Sequence, residues 1–493
     1  MFAPGGSKYK IILLYFVIGF LNYFMEGFMT LYANTAIETY KDFYNQSFVD
    51  RGQPLSNGKW NFLWGLTAAC IYPGLLLGNL ITPVLVERYG RKTPLMIGNA
   101  MRMVTTCLTI LTIKFESPEL YMVVQCFSNI GPGILYIGVV LFFQETSPTK
   151  YRGLTIILGE NSYGLGCVIG AICGWRSILG RELIIATALC YPFLIMAIIL
   201  YAFMEESPKY LLIQKNNRKR ALEAIEFYQG KKQNNEKLLD EIYLEAIEEK
   251  SAKRSLSFVI QVFKLAHLRR AYLVGCATLQ VSTTYYLFLN FSTAFYSKHF
   301  SGETSEQLSF GFIVSSLLGG VIGTRFIDRI GRRPLYLINY AISITSLITY
   351  VTFDNLAYNC EFCKWLMFIS TIVFSFVYGF ALTPISMSIT PEMVVQEYRS
   401  IVQTMAFSTG TVFYMVFTVL GLYLPDLFSS LVLIPIYIAP AIISYIYLYL
   451  QMPETCGREV HSVAEEMIRD AAQGKTSPID QKNINLEKLQ NSK

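Results

Sequence analysis

The amino-acid sequence predicts an all-α membrane protein, with about twelve transmembrane helices arranged as two pseudo-symmetric six-helix bundles. Three observations predict it. Of 493 residues, 53% are hydrophobic and only 15% are charged, too little charge for the surface of a water-soluble chain of this length. Apolar runs of about 20 residues, long enough to cross roughly 30 Å of hydrocarbon as helices, recur along nearly the whole chain. A cluster of arginines between two such runs, Glu87-Arg88-x-Gly90-Arg91-Lys92, returns later as Asp328-Arg329-x-Gly331-Arg332-Arg333.

The runs fall at 11–32, 61–86, 94–113, 120–143, 153–178 and 183–203 and, after a polar stretch, at 271–296, 308–327, 334–351, 365–390, 401–424 and 429–450. The expected units are an N-terminal six-helix bundle over 1–204, a cytoplasmic helical linker over 205–270, a C-terminal six-helix bundle over 271–452 and a cytoplasmic tail over 453–493. In the linker, 218–229 and 234–250 have helical spacing, with acids three or four residues from lysines. In the tail, 459–472 has the pattern of an amphipathic helix, and the polar remainder is expected to be disordered.

Orientation follows from the basic residues. With the N-terminus inside, the inner loops hold most of the 41 Lys and Arg, whereas the outer loops hold few, such as Lys41, Arg51, Lys59 and Lys364. Both termini are therefore expected in the cytoplasm. The first run is too long for a cleavable signal and lacks a small-residue cleavage site, so it is expected to stay as the first span. The net charge of +6 reflects the same bias, and no basic stripe with interleaved aromatics points to nucleic acid as a partner. Asn45-Gln46-Ser47 is a glycosylation sequon in the one long outer loop, which makes Asn45 the expected glycosylation site. Cys360 and Cys363 share another outer loop, either as a strained local disulfide or as free thiols.

Repetition goes beyond the arginine turns. Glu145 precedes Arg152 by seven residues after the fourth run, and Glu392 precedes Arg399 by seven after the tenth. A third pair closes each half, "EESPKYL" from Glu205 and "PETCGREV" from Pro453. Ordered recurrence of three motifs indicates a duplicated bundle, since anchoring by basic residues explains a lone cluster but not a series.

These motifs, together with "ETSPTKYRG" from Glu145, "TPEMVVQEYR" from Thr390 and "FYNQSFVDR" from Phe43, resemble the signature of the sugar porter family within the major facilitator superfamily. The resemblance covers 19–460 and is narrowest toward the animal facilitative glucose transporters. It implies the major facilitator fold, with a central cavity opening alternately to each side, and a hexose or related small polyol as the substrate. It implies a plasma-membrane location and requires neither cofactor nor covalent chemistry; nothing in the sequence specifies an oligomeric state. On this footing Arg88, Gly90, Arg91, Glu145, Arg152, Glu206, Arg329, Gly331, Arg332, Glu392, Arg399 and Glu454 are expected to form a salt-bridge network that latches the cytoplasmic mouth.

For the pocket, Gln280 matches the first of the family's paired sugar-binding glutamines, and an amide offers donors and acceptors to adjacent hydroxyls. Glu160 stands where the family has another sugar-binding glutamine, Ser316 where asparagine is usual, and Thr409 with Gly410 where it has asparagine and tryptophan. Val281, Tyr286 and Met387 depart similarly from glutamine, asparagine and tryptophan. The expected substrate contacts are Gln280 and Glu160, then Thr283, Thr284, Ser316 and Thr409. Glu26, Arg102 and Glu160 are charges inside spans, each of which must pair, protonate or face water, and the depths of Arg102 and Glu160 permit them to pair.

Three alternatives to sugar uniport stay open at this point: a paralogue retuned to another small solute, a proton-coupled sugar symporter and a non-transporting nutrient sensor. An enzyme is disfavoured, because three histidines, no metal-ligand spacing and no nucleophile motif leave little with which to catalyse. No phosphate-binding G-x-x-x-x-G-K-[ST] loop occurs, which argues against an ATP-driven pump.

Overall fold

The computed structural model describes residues 8–53, 55–148, 152–231, 235–249, 257–327, 329–358, 360–427, 430–458 and 460–472. Among these, eleven helices are long and apolar enough to cross a membrane. They are numbered here by their place in the chain: span 1 (Tyr9–Thr35), span 2 (Gly58–Tyr89), span 3 (Lys92–Lys114), span 4 (Pro118–Thr146), span 5 (Leu154–Cys173), span 6 (Leu183–Phe203), span 8 (Thr304–Gly323), span 9 (Arg332–Leu356), span 10 (Glu361–Glu392), span 11 (Tyr398–Phe417) and span 12 (Ser430–Gln451). Span 7 is Ala266–Tyr296, whose 31 residues reach about 46 Å at 1.5 Å per residue. Gln280, Thr283, Thr284 and Asn290 interrupt its apolar run, and its packing against spans 11 and 12 allows that polarity.

Small residues set how close the helices come. Span 1 lies on span 5 so tightly that a Cβ added to Gly27 would stand 2.1 Å from the Tyr163 carbonyl oxygen, and one added to Gly170 would stand 2.2 Å from that of Phe28. Without a hydrophobic drive inside lipid, this backbone-to-backbone approach is what holds two spans together. Across the boundary between the halves, span 2 packs on span 11 and span 5 on span 8. One polar contact there is explicit: the Asn79 side-chain amide donates to Thr411 Oγ1 at 3.2 Å.

Span 10 is not a regular helix. Tyr378–Leu382 forms a π-turn directly before Thr383–Glu392. Pro384 has no N–H to give to residue 380 and its ring crowds that carbonyl, so the wider turn relieves both faults.

The segment between the halves forms Pro208–Ile213, Arg218–Gln229, Asn235–Glu249 and Ser257–Lys264, the second of which coincides with its predicted range. The first three share a small core of Leu211, Leu212, Ala221, Ala224, Ile225, Leu239 and Ile242, and Arg218 pairs with Asp240 at 2.6 Å. The tail helix, Val460–Ala472, buries Val463 and Met467 and is tied to span 7 by Arg270–Asp470 at 3.5 Å. The disorder expected of the remaining tail falls outside the described residues.

Candidate functional site: two arginine turns and a cavity between the halves

Each arginine turn is built around a glycine with positive φ, +92° at Gly90 and +101° at Gly331. The glycine does more than permit the turn. A Cβ on Gly90 would stand 2.5 Å from Glu206 Oε2, and one on Gly331 would stand 2.8 Å from Glu454 Oε2. Those carboxylates close on the backbone: Glu206 accepts from the amides of Arg91 (2.8 Å), Lys92 (3.1 Å) and Ser207 (2.8 Å). Glu454 likewise accepts from Arg332 (2.9 Å), Arg333 (3.2 Å), Thr455 (2.9 Å) and Cys456 (2.9 Å). Each therefore caps the open N-terminus of the helix that follows, span 3 or span 9, where unpaired N–H groups and the helix dipole favour an anion. Burial pushes the Glu206 carboxyl above its ordinary range, outweighing the backbone donors and the Arg91 charge that pull it down.

The second motif pair meets the same turns. Arg91 forms a fork with Glu145, Nε to Oε2 at 2.8 Å and Nη2 to Oε1 at 2.8 Å, with both side chains buried. Ser207 also donates its hydroxyl to Glu145. In the other half Arg332 and Glu392 make the corresponding buried ion pair, and Arg332 Nη1 reaches Thr455 Oγ1 at 3.4 Å. These pairs staple helix ends within one half. Between the halves, the described links on this face are Ser400 to Glu87 at 3.3 Å and the Gln144 amide to the Ser388 carbonyl at 3.4 Å. Arg399 is buried, whereas Arg88 and Arg329 are exposed; Arg88 lies over the Tyr89 ring. The Arg152 side chain lies outside the described residues.

Between the halves lies a cavity of about 40 Å³, lined from span 5 by Glu160, Asn161, Tyr163, Gly164 and Cys167, from span 7 by Tyr285 and Tyr286, from span 8 by Ile313, Ser316 and Leu317, and from span 10 by Tyr378, Gly379 and Thr383. At about 10–15 Å³ per water it has room for a few waters and not for a sugar. Tyr378 stacks on Tyr285 with ring centroids 3.7 Å apart, and its hydroxyl donates to Ser282 at 3.1 Å. Gly320 admits Asn161, whose side-chain oxygen would stand 2.1 Å from an added Cβ.

Of the six residues expected to touch substrate, Glu160 and Ser316 line this cavity. Gln280 does not: it accepts from the Tyr340 hydroxyl at 2.6 Å and donates to the Tyr437 carbonyl at 3.3 Å, tying span 7 to spans 9 and 12. Thr409 exchanges a hydrogen bond with Tyr272 at 2.9 Å and donates to Met405. Thr283 and Thr284 are buried outside the lining. The residues that sequence reasoning passed over are the phenols of Tyr163, Tyr285 and Tyr378, together with Asn161.

The charges inside the spans are partnered differently from the expectation. Arg102 pairs with Glu26, Nη2 to Oε2 at 3.0 Å, and donates to the Asn22 carbonyl at 3.1 Å. Depth allowed Arg102 to meet Glu160, but span 3 turns its guanidinium toward span 1. Glu160 has no ion pair among the described residues. On the opposite face Asn45 is exposed on the helix Ile37–Asp50, and Cys360 and Cys363 are free thiols.

Residues 14–467 match the family model described as sugar (and other) transporter. The chain is 26% identical over 464 residues to solute carrier family 2, facilitated glucose transporter member 5 of Bos taurus, covering 90% of this chain and 89% of the relative. It is 26% identical over 454 residues to member 7 of Mus musculus (88% and 85% covered) and 24% identical over 498 residues to member 9 of Homo sapiens (94% and 87% covered). The solved structure of the proton:xylose symporter XylE bound to 6-bromo-6-deoxy-D-glucose superposes with a TM-score of 0.77 at 15% identity, over 94% of this chain and all 100% of that one. An inward open conformation of XylE from E. coli gives 0.64 at 14% identity, over 93% and 99%. The architecture is the major facilitator fold, and the chain is a multi-pass membrane protein that belongs to the sugar (and other) transporter family.

Proposed function

We propose that the chain carries a hexose or a related small polyol across a plasma membrane by facilitative alternating access, with both termini in the cytoplasm. The observation that carries this is a small polar and aromatic cavity at the boundary between spans 5, 7, 8 and 10, with the halves linked on the arginine-bearing face by Ser400–Glu87 and Gln144–Ser388 and each half stapled there by its own buried ion pair. Residues 1–204 and 271–452 are the two rocking bodies, and 205–270 and 453–493 are the linker and tail that brace them. A polar solute held between them changes its access route without crossing lipid. That the relatives are named facilitated glucose transporters supports the substrate class.

Radiolabelled hexose flux into vesicles containing the purified chain tests this. The expected result is equilibration, unaltered by a pH gradient and competed by hexoses or polyols but not by organic anions. Proton coupling is the second reading, favoured by one observation: Glu160 faces the cavity with no cation beside it. Accumulation driven by the pH gradient would select it.

A further inference from the structure

We propose that the solute taken by this cavity carries an ammonium group, that is, an amino sugar or similar amine-bearing polyol in preference to a neutral hexose. The proposal deepens the transport reading above and rests on it.

Among the described residues Glu160 is the only charged side chain lining the cavity, with no Lys, Arg or His in that lining. It has neither an ion pair nor a side-chain hydrogen-bond partner among the described residues, whereas Glu26 in span 1 is paired with Arg102 at 3.0 Å. What surrounds Glu160 is phenol. Tyr163, Tyr286 and Tyr378 line the same cavity, and Tyr23, Tyr136, Tyr286 and Tyr378 lie within electrostatic reach of its carboxyl. The other ionisable groups near this ring are the Cys167 thiol and, behind Tyr163, Glu26.

A carboxylate in low dielectric with no counter-charge must take up a proton or a cation from outside. Aromatic faces cannot neutralise it, but they favour a cation placed beside it, because the ring quadrupole presents negative charge within about 6 Å of the centroid. One acid within a ring of tyrosines is thus a receptor for an ammonium group. The sugar part is left to Asn161, Ser316 and hydroxyls of the same tyrosines, which supply neutral donors and acceptors. Gln280, which would recognise an adjacent pair of hydroxyls, is already spent on Tyr340 and Tyr437. A neutral hexose entering this site brings no counter-charge, so Glu160 would have to hold a proton instead.

The test is uptake of radiolabelled D-glucosamine and D-glucose, with N-acetyl-D-glucosamine as an uncharged competitor, into proteoliposomes of the full chain at pH about 6.5, where an amine of this class is largely protonated. Thermal-shift binding of the same three sugars runs in parallel. The expected result is a kcat/KM for glucosamine about tenfold or more above that for glucose, the size of one charged hydrogen bond. The ratio should collapse in Glu160→Gln and survive in Glu160→Asp, which keeps the charge if Gln fails to fold. Glucose flux with no preference for the amine overturns this inference and leaves hexose transport standing. Accumulation of glucose on a pH gradient, lost in Glu160→Gln, also overturns it by giving the carboxylate to a proton. Amine binding without flux of any sugar supports the site and removes the transport reading, and neither binding nor flux removes both.

Discussion

Gly90 and Gly331 each meet two demands, a left-handed backbone and a carboxylate pressed against the turn. Alanine at either position meets strain of about 1–2 kcal/mol from φ alone and displaces Glu206 or Glu454 as well. Gly90→Ala is therefore expected to lower the unfolding temperature in detergent more than Gly52→Ala, where φ is +70° but nothing lies within 4 Å of the added carbon. Equal losses at the two sites would show that the carboxylate contact contributes nothing. Glu206 adds a pH dependence. Its carboxyl is raised in the folded chain, so the folded state binds more protons than the unfolded one between the two values. The stability it contributes is full below the ordinary carboxylate range and is lost as pH rises through the folded value. Relative to Glu206→Gln, the native chain should lose thermal stability as pH rises above the ordinary carboxylate range; a flat difference would contradict the assignment.

At the scale of the helix, the buried pairs Arg91–Glu145 and Arg332–Glu392 join the ends of neighbouring spans inside one half. Removing one member of a buried pair strands the other charge, at a cost of about 3–5 kcal/mol. Glu145→Gln and Glu392→Gln should therefore loosen the arginine-bearing face and raise thiol labelling of a cysteine placed at Asn161; unchanged labelling in both would dismiss the latch. In span 10, Pro384→Ala restores a backbone donor and makes the π-turn unnecessary. Transport should slow by about tenfold if that turn is the bending point, and an unchanged rate would place the bend elsewhere. The helices themselves were legible in the sequence, because membrane thickness fixes the length of an apolar run. The helix Arg218–Gln229 was equally plain from its charge spacing. What local pattern lacks is the direction a span faces. Gln280 was expected to touch substrate, yet its amide turns toward Tyr340 and Tyr437 rather than the cavity. Arg102 could be placed by depth but not by rotation, so depth permitted a pair with Glu160 while the partner is Glu26. Three phenols of the lining drew no notice because the chain holds 33 tyrosines, and only the packing of spans 5, 7 and 10 sets these apart.

For the whole molecule, the ion pairs described lie within halves, while the contacts across the boundary include hydrogen bonds from the uncharged donors Asn34, Asn79, Gln144 and Ser400, the last to the Glu87 carboxylate, together with helix packing. A boundary of that kind separates easily, which suits two bodies that must part and rejoin. Joining Glu87→Cys to Ser400→Cys by oxidation should stop flux, and reduction should restore it; transport through the cross-linked chain would show that this face need not open. The two-half plan was visible beforehand in three repeated motifs. Their physical link was not, since no periodicity connects Glu206 to Gly90, 116 positions earlier in the sequence.

That link has a consequence for synthesis. The acid that caps each turn is supplied by the residues immediately after the last span of the same half, Glu206 following span 6 and Glu454 following span 12. Each half is thus sealed by its own final residues and borrows no cap from the other. As the chain leaves the ribosome, the first bundle possesses every group needed to fasten its turn before any of the second has been made.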